Sequence, residues 1–353
     1  MSDGFSIEDY DYELPQELIA QEPPEKRGDS RLLRVHRSSG TLTHHGFQEL
    51  PALLETGDVL VMNRSRVLPA RLLGRRSGGG DAEILLVRKR DADLWEAMVR
   101  PGRRLPPGSA VQIAPDFLVQ LEEATATSAD EPSGPTRLVR LVASDGDADA
   151  AIQRHGHVPL PPYIHRPDRP ADRERYQTVY AREAGSIAAP TAGLHFTPEL
   201  LQTLRQRGVQ LAELVLHVGP GTFRPVEAKD VRTHRVDPEV FSIPKKTAAV
   251  IAQARHEGRR VIGVGTTTAR ALESAVAPDG HLRAGDGETA LVISPGHTFR
   301  VLDGLLTNFH LPRSSLLLLV SAFAQRERVL AAYEEAMRQR YRFYSYGDAM
   351  LVV

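Results

Sequence analysis

The chain has 353 residues and contains no cysteine. This absence excludes disulfide bonds, zinc sites and iron–sulfur clusters held by cysteine, and catalysis by a thiolate nucleophile. Radical chemistry that depends on a cysteine-bound cluster is therefore outside the range of this protein.

The chain also has almost no net charge, because 44 Lys and Arg residues are balanced by 45 Asp and Glu residues. Bulk charge gives no support for a nucleic-acid partner, which would need a local basic patch. Candidates for such a patch are the arginine-rich stretches of the chain, namely Arg64, Arg66 and Arg71, then Arg75 and Arg76, and then Arg100, Arg103 and Arg104. The plain alternative is a solvated basic face.

Long apolar runs are missing as well. The longest one, residues 316–320, is far too short to cross a bilayer. Residues 1–12 are acidic and lack the apolar centre of a signal peptide. We therefore expect a cytoplasmic protein.

Several familiar motifs are absent. No GxGxxG follows a strand, and the pairs Gly219/Gly221 and Gly263/Gly265 are only fragments of it. This counts against nicotinamide chemistry and against a Rossmann methyltransferase. Neither HExxH nor DxDxDG occurs, so the usual zinc protease and EF-hand patterns are missing.

What is present divides the chain into stretches of different texture. Its length favours one large and one small domain. Short strand-like segments separated by Gly- and Pro-rich turns predict a small antiparallel β-barrel over residues 70–156, and no convincing helix interrupts these segments. The predicted strands are 82–87, 94–99, 109–113, 117–122 and 137–142. The small, polar and acidic segment 124–135 is predicted to be a mobile loop.

Residues 1–69 and 157–353 are predicted to form one discontinuous α/β domain. Residues 14–19 are typical of a short helix start, and residues 58–63 of a buried strand. The C-terminal half alternates strands with helices, which favours parallel strands, either in an open sheet or in a closed barrel. The predicted strands are 209–216 and 260–264, and the predicted helices are 198–207, 245–257, 268–277, 316–324 and 326–340.

Candidate functional residues follow from this topology, because sites in parallel α/β folds lie just past the carboxyl ends of strands. One strand end is followed by HVGPGTFR (217–224), and another by GTTTARALE (265–273). His195 and His310 lie in further loops of the same half. Together with His217 and His234 they make four loop histidines, which suggest acid–base catalysis or a metal site.

The same segments carry a resemblance that extends over nearly the whole chain. The matching motifs are GDVLVMNRSRVLPAR (57–71), GSIAAPTAGLHFT (185–197), HVGPGTFRPV (217–226), VGTTTARALES (264–274), LLTNFHLPRSSLLLLVSAF (305–323) and YRFYSYGDAML (341–351). In this order they resemble the S-adenosylmethionine:tRNA ribosyltransferase-isomerase family of queuosine biosynthesis. The resemblance implies a barrel-like α/β catalytic domain with an inserted small β-barrel.

The resemblance also implies a reaction. The ribosyl unit of the co-substrate S-adenosylmethionine would be transferred and isomerised onto 7-aminomethyl-7-deazaguanine at the tRNA wobble position. The product would be epoxyqueuosine in tRNA, with release of adenine and methionine. No metal would be required, and the protein would act as a monomer or homodimer.

Two segments depart from the family pattern. The family usually carries His-x-Met-His-x-Glu, whereas residues 234–239 read HRVDPE, so Val236 replaces the methionine and Asp237 the second histidine. Residues 63–66 read NRSR, where Asn-Asp/Asn-Thr/Ser-Arg is expected. An Asp starts from a pKa of about 4 and needs burial to act as a base near neutrality.

The implied reaction needs positioned bases and acids, each worth about 10²–10⁴-fold in rate. We expect His195, His217 and His310 to transfer protons, with Glu239 or Asp348 balancing the sulfonium charge. Substrate would be held by residues of several loops, namely Arg66, Thr222, Arg224, Thr266, Thr267, Arg270, Asn308, Tyr346 and Asp348. The RNA phosphates would contact Arg64, Arg66, Arg71, Arg75 and Arg76.

Three other hypotheses remain open at this point. The chain could be a family member with an altered substrate, because of residues 234–239. It could be a metal-dependent hydrolase that uses the loop histidines. It could also be a non-catalytic RNA-binding protein with the small barrel as its module.

Overall fold

The computed structural model describes residues 4–122, 136–223 and 225–353. The predictions for Arg224 and for segment 124–135 fall outside the described residues, and so does the side chain of Thr222.

The strands alternate with short and medium helices along the chain. The strands are β1 Arg31–Val35, β2 Leu42–Gly46, β3 Val59–Asn63, β4 Ser65–Val67, β5 Arg71–Arg76, β6 Asp81–Lys89, β7 Leu94–Arg100, β8 Ala110–Ala114, β9 Phe117–Leu121, β10 Arg137–Ala143, β11 Glu183–Ser186, β12 Gln210–Leu216, β13 Glu239–Ile243, β14 Val261–Val264, β15 Gly285–Thr289, β16 Gly304–Asn308 and β17 Ala349–Val352. The helices are α1 Leu50–Leu53, α2 Ala148–His155, α3 Asp172–Arg175, α4 Pro198–Gln206, α5 Lys245–His256, α6 Thr266–Ser274, α7 Ser315–Ala324 and α8 Arg326–Arg338.

A large mixed sheet is the centre of the fold. Within the described residues it has nine strands in the linear order β15-β13-β12-β3-β14-β16-β17-β1-β2, so it is an open sheet with two edges. Its central strands β12, β3, β14 and β16 are mutually parallel. Every residue of β3 is buried, as expected for a continuous apolar run covered on both faces.

The parallel centre of this sheet decides where a site can form. Strands β3, β12, β14 and β16 all point the same way, so their last residues lie along one edge. The loops that follow β12 and β14, and the N-terminus of α6, therefore belong to that edge. This is the edge at which parallel α/β proteins place their ligands.

The small antiparallel barrel is confirmed. Its six strands among the described residues close in the order β10-β7-β6-β5-β8-β9, around a core that includes Leu72, Ile84 and Val119. Strand β5 was not predicted, because its alternation is interrupted by Gly74 and ends in two arginines.

A helix that was not predicted, α2, follows the last strand of the barrel. Helix α2 packs Ala151 and Ile152 into the barrel core, and Asp147 caps it by accepting a hydrogen bond from Ala150 N. The capping Asp147 and a short run of apolar residues are its signals in the sequence.

Other boundaries also differ from the predicted ones. Residues 14–19 form no α-helix, and only a 3-10 turn, Gln16–Leu18, lies there. Helix α6 begins two residues earlier than predicted, because Gly265 has a φ of +87° and turns the chain directly into the helix. No helix in the described ranges is both long and apolar enough to cross a membrane.

Candidate active site

The described residues form a cleft of about 800 Å³. One wall comes from the barrel, where it includes Arg88, Lys89, Arg90 and Trp95. The other wall comes from the strand-end edge of the sheet, with His217 and the residues around it. We call this cavity the outer cleft. It is the natural candidate for a substrate site, because the two parts of the protein meet there.

His217 lies in the outer cleft directly after β12. Its Nδ1 atom is 2.9 Å from Ser65 Oγ, which is 2.5 Å from Ser186 Oγ. Ser186 Oγ in turn accepts a hydrogen bond from Val218 N at 2.9 Å. Both serine hydroxyl hydrogens can rotate, so this chain can serve either tautomer of His217. The histidine is therefore held in place without being fixed in one proton state.

The electrostatic surroundings of His217 favour its neutral form. Partial burial lowers its pKa, and the nearby Glu183 carboxylate opposes this by raising it. A neutral imidazole that lies at a cleft can accept a proton from a bound molecule. His217 is thus suited to act as a base.

Glu239 and Arg270 form a buried ion pair behind the loop that carries His217. Glu239 Oε2 pairs with Arg270 Nη1, while Glu239 Oε1 accepts a hydrogen bond from Gly219 N at 2.8 Å. Arg270 Nε also donates to Leu291 O at 3.0 Å. Both residues line the outer cleft, and their shared role on these contacts is to hold the loop 217–221.

A second, smaller cavity of about 60 Å³ lies beside the outer cleft. We call it the inner cavity, and Val218 lines both spaces. Its wall includes the start of α6, with Thr266 and Thr267, and the end of β16, with Asn308 and the following His310.

His195 and His310 are much more deeply buried than His217. His195 Nδ1 is 2.7 Å from Ser30 Oγ, and its Nε2 accepts a hydrogen bond from Asn308 Nδ2 at 3.2 Å. His310 Nε2 is 2.8 Å from Thr307 Oγ1. Burial lowers the pKa of each histidine to about 3, with nearby Arg342 and Arg27 adding to the effect at His195. Both rings stay neutral at physiological pH and are suited to fixing neighbouring groups.

The histidines do not share one cavity. His217 lines the outer cleft, His310 the inner cavity, and His195 a third small pocket that also includes Tyr346. The three spaces are neighbours, since Val218 lines the first two and Ser345 the last two. The three histidines therefore line three neighbouring cavities and not one common cleft.

Tyr346 and Asp348 are held by contacts within the fold. Tyr346 OH donates to Asp172 Oδ1 at 2.9 Å. Asp348 accepts hydrogen bonds from Arg31 N and Arg342 N, at 2.9 and 2.8 Å, and pairs with the Arg31 guanidinium at 3.1 Å. Asp348 contributes to none of the three cavities.

The predicted RNA-binding arginines differ in how far they are engaged. Arg64 pairs with Glu183 at 3.2 Å, and Arg71 with Glu83 at 3.0 Å. Arg66 is more exposed and lies 3.8 Å from Glu174. Arg75 is exposed on β5, next to Arg76.

The sequence prediction missed residues that the structure brings to the outer cleft. Arg88, Lys89 and Arg90 line it from the end of β6 and the turn after it. Three consecutive basic residues at the end of a predicted strand were a signal for this surface. Asn63 was also missed, although it joins two strands by donating to Leu216 O at 2.9 Å and accepting from Leu216 N at 3.1 Å. Among the described residues, no group of three or more His, Asp or Glu is placed to hold a metal ion.

These features define an α/β protein with a cleft at its strand ends, an arrangement typical of enzymes. A family model described as a queuosine biosynthesis protein matches residues 7–352. The S-adenosylmethionine:tRNA ribosyltransferase-isomerase of Thermus thermophilus is 51% identical over 351 residues, which cover 98% of this chain and 99% of that protein. A protein of the same name from Moorella thermoacetica is 49% identical over 348 residues, covering 98% and 99% of the two chains.

A solved structure agrees with these matches. The crystal structure of the S-adenosylmethionine tRNA ribosyltransferase from Thermotoga maritima superimposes with a TM-score of 0.55 at 37% identity, covering 98% of this chain and 100% of that one. The chain belongs to the queuosine biosynthesis protein family. The members of this family named above are ribosyltransferase-isomerases. The resemblance inferred from the sequence motifs is confirmed.

Proposed function

We propose that this protein transfers and isomerises the ribosyl unit of S-adenosylmethionine onto 7-aminomethyl-7-deazaguanine at the wobble position of tRNA. The product is epoxyqueuosine in tRNA, and adenine and methionine leave. The support is the identity of about half of the residues with S-adenosylmethionine:tRNA ribosyltransferase-isomerases over nearly the full chain. The observation that carries the proposal is the outer cleft, which places His217 in one space with a barrel wall that carries Arg88, Lys89 and Arg90, each of them paired with a carboxylate.

His217 is proposed as the base that accepts a proton in this cleft. The aminomethyl group is mostly an ammonium at neutral pH, and it becomes a nucleophile only after losing a proton. The chain from His217 through Ser65 to Ser186 supports this role, since it holds the ring while allowing both tautomers. His195 and His310 are proposed as positioning residues, because their low pKa values keep them neutral.

The tRNA is proposed to enter the outer cleft from the barrel side, with its wobble base turned out of the anticodon stack. Arg88 and Lys89 line the cleft on that side. Arg75 and Arg76 belong to the neighbouring strand β5 of the same barrel. Contacts of such side chains with phosphates position the RNA and make its binding depend on salt.

The remaining features of the proposal follow from the same reaction. Residues 70–156 are proposed as an inserted domain, with residues 1–69 and 157–353 as the catalytic domain, because the barrel core and the sheet cores form separate hydrophobic clusters. The reaction is proposed to need no metal and to occur in the cytoplasm, where its tRNA substrate is found. The active species is proposed to be a monomer or homodimer.

The test is a direct assay with the complete protein. Protein, S-adenosylmethionine and tRNA carrying the 7-aminomethyl-7-deazaguanine base are incubated with a chelator, and the nucleosides and small products are analysed by mass spectrometry. We expect a heavier nucleoside together with free adenine and methionine. Binding of tRNA without adenine release would favour a non-catalytic RNA-binding protein, and loss of turnover with the chelator would favour a metal-dependent enzyme.

A further inference from the structure

The inner cavity contains a buried acceptor atom whose orientation is fixed. The side-chain amide of Asn308 donates from Nδ2 towards His195 Nε2 at 3.2 Å, Tyr344 O at 3.1 Å and Asp348 O at 3.4 Å. The two backbone carbonyl oxygens can only accept, so they need the NH₂ group and the amide cannot be turned around. Its Oδ1 atom is buried and has no hydrogen-bond partner in the described part of the chain.

A second unpartnered group lies in the same cavity. The hydroxyl of Tyr344 is buried and has no hydrogen-bond partner among the described residues. Tyr344 has a φ of +71°, a left-handed conformation that costs a non-glycine residue about 1–2 kcal/mol. Unsatisfied buried polar atoms are costly, and backbone strain of this kind clusters at ligand sites. Both features point to a ligand that completes the cavity.

The wall of the inner cavity also offers hydrogen-bond donors. Helix α6 begins there with Thr266 and Thr267, and the residue before it is Gly265, which has no side chain to cap the helix. The first backbone N–H groups of a helix have no partner within it, and the helix dipole favours an anion at this end. The inner cavity thus combines an anion-binding wall with a buried carbonyl acceptor suited to a cation.

We propose that the inner cavity binds the α-amino acid end of S-adenosylmethionine, with the carboxylate at the N-terminus of α6 and the ammonium at Asn308 Oδ1. This inference rests on the proposed function and names the subsite for one part of its co-substrate. His195 is then a positioning residue, because it fixes the amide of Asn308 with its oxygen free for the ligand. Arg270 is not needed for the carboxylate, since its guanidinium is engaged with Glu239 and Leu291 O.

The position of the inner cavity also orients the rest of the co-substrate. Val218 lines both cavities and directly follows His217. With the amino acid end in the inner cavity, the sulfonium and ribosyl group extend past Val218 towards the outer cleft. The ribosyl unit is then close to both His217 and the entering base, as the transfer requires.

The experiment measures equilibrium binding in the presence of a saturating anticodon stem-loop with ordinary guanine at the wobble position, so that no reaction occurs. The ligands are S-adenosylmethionine, its decarboxylated form and 5′-methylthioadenosine, which lacks the whole amino acid end. The variants are Thr266→Val and Tyr344→Phe. Tyr180→Phe is the matched control, because its hydroxyl is also buried and unpartnered among the described residues but does not line the inner cavity.

We expect the wild-type protein to bind S-adenosylmethionine about tenfold or more tightly than either truncated ligand, because each truncated ligand forms fewer charge-assisted hydrogen bonds. Thr266→Val should weaken S-adenosylmethionine but leave the decarboxylated form unchanged. Tyr344→Phe should weaken S-adenosylmethionine but not 5′-methylthioadenosine, and Tyr180→Phe should change neither.

Two other results have distinct meanings. Equal affinity for all three ligands, or variants that weaken 5′-methylthioadenosine as much as S-adenosylmethionine, would overturn the inference and assign the inner cavity to ribose or adenine. If none of the three ligands binds, the proposed function itself fails. Melting temperatures of the variants are compared with that of the wild type, so that misfolding is recognised.

Discussion

The imidazole of His217 lies directly against the backbone of Gly185. A Cβ atom added to Gly185 would lie 2.6 Å from Cε1 and 2.7 Å from Nδ1 of His217, closer than real Cβ contacts occur. Gly185 also has a φ of +151°, a backbone conformation that residues other than glycine rarely adopt. Together with the hydrogen bond to Ser65, this contact fixes where the ring can be.

The substitution Gly185→Ala is therefore expected to displace His217. A shift of about 1 Å in a catalytic group can cost roughly 10²-fold in rate, so kcat should fall by about that factor while the KM for S-adenosylmethionine changes little. Adenine release under saturating substrates measures this. Gly78→Ala is the control, since nothing lies within 4 Å of its added Cβ atom. Unchanged kcat in Gly185→Ala would contradict the role of His217.

The pH dependence of turnover should report on His217. Its pKa is lowered by burial, so the base is ready at neutral pH and activity should fall when acid protonates it. Glu183 raises this pKa, so Glu183→Gln should lower it and move the acid limb of kcat to lower pH. Because Glu183 is about half exposed, a shift of only a fraction of a pH unit is expected.

The control for that measurement is Glu174→Gln, which removes an exposed carboxylate that pairs with Arg66. A shift of the acid limb to higher pH in Glu183→Gln, or equal shifts in both variants, would count against His217 as the titrating base.

Arginine and lysine side chains of the barrel should set the salt dependence of tRNA binding. Removing one cationic side chain that binds a phosphate reduces the slope of log K against log salt by about 0.7–0.9. The triple variant Arg71→Ala/Arg75→Ala/Arg76→Ala should therefore reduce this slope by up to about 2–3. The double variant Arg88→Ala/Lys89→Ala removes two cationic side chains and should reduce the slope by up to about 2. Filter binding at several salt concentrations measures this.

The control pair lies near the N-terminal ends of the parallel strands, away from the strand ends that carry the cavities. Arg205 and Arg207 are exposed at the end of α4, just before β12 begins. Replacing both with alanine removes a similar charge and should leave the slope unchanged. Equal slopes for the barrel variants and this control would exclude the barrel side as the RNA surface.

Much of this fold could be predicted from local patterns, and much of the site could not. Strand β3 is a continuous apolar run, and α4 has a capping threonine, a first-turn proline and three leucines on one face. Such signals are local and were correctly interpreted. The apolar residues of helix α2 are three alanines and one isoleucine, and its burial depends on the barrel around it.

The site required tertiary information. The sequence suggested three histidines as equivalent candidates, but the difference between His217 and the buried His195 arises from distant partners such as Ser65 and Asn308. In the same way, Tyr346 and Asp348 are engaged by Asp172 and Arg31, which are far away in the sequence. Nothing in their own segments signals those partners.

The two buried histidines should make stability depend on pH. His195 and His310 have folded-state pKa values of about 3, well below the value of about 6.5 in the unfolded chain. As the pH falls, the unfolded chain therefore takes up protons before the folded protein does. The contribution of these two histidines to the free energy of unfolding is complete above about pH 6.5 and is lost progressively below it. The expected loss is about 1.4 kcal/mol per pH unit for each histidine between these pKa values.

Urea unfolding at pH 7 and pH 5 measures this dependence. His310→Gln keeps a hydrogen-bonding group near Thr307 but removes the titration, so the loss of stability between the two pH values should shrink by about one histidine's share. His281→Gln, at an exposed position, is the control for the substitution itself. An unchanged pH dependence in His310→Gln would mean that this ring does not stay neutral in the folded protein.

The Glu239–Arg270 pair should separate stability from activity. Both residues are more than nine-tenths buried, and Glu239→Ala would leave the Arg270 charge without its partner. Breaking a buried pair in this way typically costs about 3–5 kcal/mol. The double variant Glu239→Leu/Arg270→Met removes both charges and should recover most of that loss, which urea unfolding can measure.

The double variant still lacks the acceptor for Gly219 N, so the loop 217–221 loses its support and kcat should stay low although the fold is stable. Recovery of kcat together with stability would mean that the pair has no part in positioning His217.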